Sequence, residues 1–81
     1  MMIRYDEIKV NDVVRFHGAE VRVKKVVESP APANEWYPEE KTISFEIEPA
    51  NEKAVEILGS FYSHGEYGGV GCLTIELVSR Q

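Results

Sequence analysis

The sequence predicts a mainly β chain, folded as a small barrel or a strongly bent antiparallel sheet of four or five strands. Three observations carry this. Two short apolar/polar alternating runs flank Gly18, residues 42–48 alternate without a break, and residues 72–78 close the chain with the same period. Side chains of an extended strand point to alternate faces, so a period of two marks a strand with one buried and one wet side. Turn-forming residues separate these runs at short intervals, as small all-β folds require.

The first element is a hairpin over residues 13–24. With Gly18-Ala19 as a two-residue loop, Phe16 faces Val21 and Val14 faces Val23 on one side. Arg15 then faces Arg22, and His17 faces Glu20, on the other. Upstream, Ile8 and Val10 lead through a turn-like Asn11-Asp12 into the hairpin. After Val23, Lys24-Lys25 puts one residue too many before Val26, which points to a bulge. Residues 29–41 then read as a long connection, because Pro30, Pro32 and Pro38 argue against a central strand or a helix interior. The strand at 42–48 turns Ile43, Phe45 and Ile47 inward and ends at Pro49.

Residues 52–58 admit a short helix or a strand. Asn51 as a cap, Glu52 in the first turn and Gly59 as a stop favour the helix, with Ala54, Val55 and Leu58 as its apolar stripe. Residues 60–64 form a candidate short strand, and a glycine loop at 65–71 follows, expected to need positive φ at several positions. The last strand opens near Cys72 and alternates Leu73, Ile75 and Leu77 inward. One shared core of Val14, Phe16, Val21, Val23, Ile43, Phe45, Ile47, Leu73, Ile75 and Leu77 is the resulting expectation.

Residues 8–23, Ile8-Lys9-Val10-Asn11-Asp12 followed by a strand, a glycine turn and a second strand, resemble the opening of SH3-like barrels. That pattern runs hydrophobic-x-hydrophobic-Gly-Asp, and Asn11 stands where glycine is usual. The resemblance spans about a fifth of the chain and implies architecture rather than activity. An OB-like barrel is the alternative, since its order places a helix between the third and fourth strands.

Charge narrows the partners. Residues 1–28 carry six basic against five acidic side chains, and residues 29–81 carry three against nine, for a net charge of −5. Such a chain repels polyanions at long range, which disfavours non-specific nucleic-acid binding. No apolar run approaches a membrane span, and the first residues lack a signal-peptide core. The single Cys72 leaves no internal disulfide, so a reducing, cytoplasmic setting is expected.

Sites for chemistry are thin. The 65–71 glycines lack the Lys-Ser/Thr of a phosphate loop and the Gly-x-Gly-x-x-Gly order of a dinucleotide site, and Glu66 would repel phosphate. His17, His64 and Cys72 do not stand at metal-site spacings, so no metal or cofactor is expected. Ser63 beside His64, and Cys72, have no activating context. Glu46, Glu48 and Glu76 alternate outward, where solubility is their simplest role. The chain reads as non-catalytic.

Two features remain. Trp36 and Tyr37 sit in an acidic, proline-bearing segment, either as a lid over an open end of the core or as a recognition anchor. Arg15, Arg22 and Lys24 form a basic strip on the first hairpin, to be neutralised by acidic neighbours such as Glu20 or by an anionic partner. The expected function is a small interaction module that binds a protein partner through a loop or edge strand. The alternative is a nucleic-acid-binding barrel that uses the first hairpin.

Overall fold

Chain direction is set early by a tight turn. The Asp12 N–H donates to the Lys9 carbonyl at 3.1 Å, and Asn11 takes a left-handed φ of 78°. Asparagine tolerates that region better than most residues, which accounts for its presence at a position where glycine is the usual choice. The turn is then tied to Val23 in the strand beyond Gly18, with the Asn11 N–H donating to the Val23 carbonyl and the Val23 N–H to the Asp12 carbonyl.

The computed structural model describes residues 1–62 and 65–80. Its strands are β1 (Met2–Arg4), β2 (Val13–Phe16), β3 (Ala19–Asn34), β4 (Tyr37–Pro49), β5 (Gly65–Val70) and β6 (Thr74–Ser79). A 3-10 turn at Tyr5–Glu7 follows β1, and helix α1 (Glu52–Tyr62) joins β4 to β5. They form one antiparallel sheet in the order β1-β6-β2-β3-β4-β5. Among the described residues there are six strands rather than four or five. The sheet curls without closing, so it is the bent sheet and not a closed barrel that forms. The helix falls between the fourth and fifth strands, not between the third and fourth as the OB order has it.

The first hairpin forms two residues away from its expected register. Its turn is His17-Gly18, both at positive φ (52° and 81°), so Val14 pairs with Val21 and Phe16 with Ala19. Two successive left-handed residues give the tight turn whose twist matches that of the strands. The pairing moves by two positions, so side-chain parity is kept. Val14, Phe16, Val21 and Val23 therefore still face inward, and Ala19 joins them. Arg15 stands opposite Glu20, not Arg22, and His17 lies in the turn itself.

The bulge is where the sequence places it, as the β3–β4 register shifts between Val23 and Lys25. Residues 29–41 are not a loop, however. β3 and β4 continue as a hairpin to the pairs Pro32↔Lys41 and Asn34↔Tyr37. Prolines are tolerated because beyond β5, which pairs with Thr42 to Ile47, this arm has only two strands and each has an open edge. The register also shifts on either side of Pro32.

The 65–71 glycine segment is likewise mostly strand. Positive φ does not explain its glycines, since among the described glycines only Gly18 and Gly59 adopt it. Close approach does. A Cβ on Gly68 would lie 2.6 Å from the Ile43 carbonyl oxygen, and one on Gly69 would lie 2.7 Å from Leu73 Cδ1 and 3.3 Å from Tyr5 Cε2. Tyr5 follows β1 at one edge of the sheet and Gly69 belongs to the other, so the curl brings the two edges together here.

Helix, not strand, forms over 52–58. Asn51 Oδ1 accepts from the Ala54 N–H at 2.8 Å, and Gly59 breaks the helix with a φ of 66°. Ala54 and Leu58 are buried while Val55 is exposed, which narrows the expected stripe. Residues 60–62 are helical beyond the kink at Gly59 rather than a strand, and Ser63 and His64 lie outside the described residues. The core gathers Val14, Phe16, Val21, Val23, Phe45, Ile47 and Ile75 with Ile3, Ile8, Ala54 and Leu58, and Leu77 packs at its margin. Ile43 is buried as well, whereas Leu73 is exposed because it precedes β6 in the turn.

Candidate functional site

Two surfaces compete, and the geometry separates them. On the first hairpin, Arg15 Nε donates to Glu76 Oε2 at 2.6 Å, across the β2–β6 pair. This hydrogen bond, with the charge behind it, raises the Arg15 guanidinium pKa and lowers that of the Glu76 carboxyl. Arg22 stands opposite Glu48 on β4, and Lys25 stands opposite Glu46. Lys24 is the exposed bulge residue. The expected like-charge pair is thus absent, because the register sets each of Arg15, Arg22 and Lys25 across from a carboxylate. Arg15 is thus paired with an acidic neighbour, Glu76, across the β2–β6 pair.

Trp36 and Tyr37 are placed otherwise than as a lid. They sit at the tip of the β3–β4 arm, with Glu35 and Trp36 forming the two-residue connection between paired Asn34 and Tyr37. Trp36 is 80% exposed and Tyr37 48%. A lid is not needed, because α1 already covers the core with Ala54 and Leu58. Pro38, Glu35 and Glu39 beside them are exposed as well.

The base of the arm is fastened by charge. Arg4 binds Asp6 at 2.9 Å and Glu40 at 3.1 Å, and Lys41 binds Glu28 at 2.8 Å. Hydrogen bonding to Asp6, then its charge and that of Glu40, outweigh desolvation and raise the Arg4 pKa well above its ordinary value. The Gly71 N–H donates to the Lys41 carbonyl at 2.8 Å, which anchors β4 where the arm leaves the sheet. The arm therefore projects from a tethered base and carries its aromatic residues at the far end.

Other candidates do not assemble. Among the described residues no three His, Cys, Asp or Glu side chains gather as a metal site. Cys72 is half-buried in the turn before β6 instead of opening that strand, and His64 lies outside the described residues. Among the described residues no helix is long and apolar enough to cross a membrane. Among the described residues the most buried charged group is Asp12, 1% exposed, which binds Arg80 at 2.9 Å. Sequence reading marked its turn but not this partner. Compared with known protein families and with curated proteins, the chain matches none.

Proposed function

We propose that this chain is a non-catalytic interaction module that offers the Trp36–Tyr37 tip of its long hairpin to a protein partner. The observation that carries the reading is an indole 80% exposed at the end of a tethered two-stranded arm. Tryptophan and tyrosine dominate the energetics of protein interfaces, since each buries a large area at little cost in side-chain freedom. An exposed tryptophan on an isolated loop costs little, but here Tyr37 extends the apolar surface beside it. The lone cysteine fits a reducing compartment such as the cytoplasm.

A nucleic-acid role for Arg15, Arg22 and Lys24 has less support. Arg15 is engaged by Glu76 and Arg22 stands opposite Glu48, so little positive potential is left to attract a polyanion. Photo-crosslinking in the native host tests the two readings. The chain carrying Tyr37→benzoylphenylalanine is expected to give one discrete protein adduct. The same residue at Glu52 is expected to give none. Adding Trp36→Ala should cut the Tyr37 adduct about ten-fold or more. A nucleic-acid adduct, or an adduct indifferent to Trp36, would overturn the proposal.

A further inference from the structure

Resting on the docking role of the tip, we propose that its partner presents a cationic, arginine-bearing protein surface to the arm. The carboxylates along the arm divide into two groups. Glu28 and Glu40, near the base, are committed to Lys41 and Arg4. Glu35 and Glu39 flank the aromatic pair, are exposed, and take part in no ion pair among the described residues. No basic side chain occurs from residue 29 to residue 40, so the tip carries negative charge around an exposed indole.

A guanidinium suits this combination. It is planar, stacks on an indole face through charge–quadrupole attraction, and donates in a fork that matches a carboxylate. An ammonium lacks the fork and holds its water more tightly. The other occupants are opposed by charge or backbone. A second copy of the chain carries −5 itself, and anionic lipid and nucleic acid are repelled likewise. Pro30, Pro32 and Pro38 lie on the arm and remove N–H donors, which hinders docking by strand addition along its edges. Recognition therefore falls to the side chains of the tip.

The test uses the full chain and amide NMR, titrated at ~0.15 M salt, where charges beyond ~8 Å are screened. The probe is a Gly-Arg-Gly-Arg peptide, set against Gly-Lys-Gly-Lys and Gly-Glu-Gly-Glu. Saturable shifts centred on residues 35–39 are expected with the arginine peptide, weaker ones with lysine, and none with glutamate. Glu35→Gln/Glu39→Gln, which leaves the fold's ion pairs untouched, should weaken the arginine peptide about five-fold. Trp36→Ala should weaken it further. Shifts spread over the acidic surface away from the tip, an absence of saturation, or indifference to the double variant would each overturn the cationic assignment. If Tyr37 crosslinking still captures a Trp36-dependent protein, the docking reading survives that result and only the chemistry of the partner is wrong.

Discussion

The Asp12 carboxylate, almost fully buried, accepts the Lys9 N–H at 2.9 Å and both Nε and Nη2 of Arg80 at 2.9 Å. Burial works to raise its pKa. The hydrogen bonds from Arg80 and Lys9, backed by their charges, overcome this and hold the carboxyl below its ordinary 3.8. A group whose folded pKa is depressed stabilises the fold above the unfolded value, and that contribution fades as pH falls through the folded one. Asp12→Asn, which keeps the shape but not the charge, is expected to cost about 1–3 kcal/mol at neutral pH. In urea unfolding the gap between variant and parent should narrow once the pH drops below the ordinary 3.8 of the parent carboxyl. A gap that stays constant across that range would show that charge is not what Asp12 contributes. The turn at Asn11-Asp12 was legible because it is local. Arg80 is 68 residues away, and no periodicity in the chain connects them.

At the scale of elements, parity was legible and register was not. Alternation assigns a face to each side chain, and a shift of two pairs leaves every face unchanged, so Val14 and Phe16 were placed inward on the wrong partners. What decides the register is the turn, where His17 enters the left-handed region that a Gly18-Ala19 loop would have spared it. Gly18 at φ 81° is the residue best suited to that turn. Gly18→Val, with open space around the added Cβ, isolates the backbone effect. It should lower stability by about 1–2 kcal/mol, seen as a lower midpoint in thermal melting. A neutral result would show that the turn tolerates a branched residue and that the left-handed pair is not what sets the register. The 29–41 arm was misread because proline rules describe strands flanked on both sides, and this segment is flanked on one. Glycines at 68 and 69 read as a loop because close packing of β5 against Ile43, Leu73 and Tyr5 leaves no trace in local sequence.

Across the whole molecule, the curl of the sheet brings Tyr5 and Phe16 edge-on to Phe45, with ring centroids 5.4 and 6.3 Å away, and Tyr67 packs 4.6 Å from Phe16. Phe45 is 1% exposed at the centre of this cluster. Phe45→Ala should therefore cost about 3–5 kcal/mol, a large share of what a domain of this size possesses. Melting within a few degrees of the parent would contradict that core. Most of the core was legible from alternation alone. The candidate site was legible only as two aromatic residues with two possible roles, because exposure depends on the arm, and the arm depends on pairing between distant residues. Trp36 is the sole tryptophan, so its fluorescence reports on the tip alone. The most direct measurement is acrylamide quenching of Trp36 in the free chain, in the urea-unfolded chain and in complex with the protein captured through Tyr37. Quenching in the free chain nearly as strong as in the unfolded one, and sharply reduced in the complex, is the expected result. An indole already shielded in the free chain, or one equally quenched in the complex, would contradict the docking role of the tip.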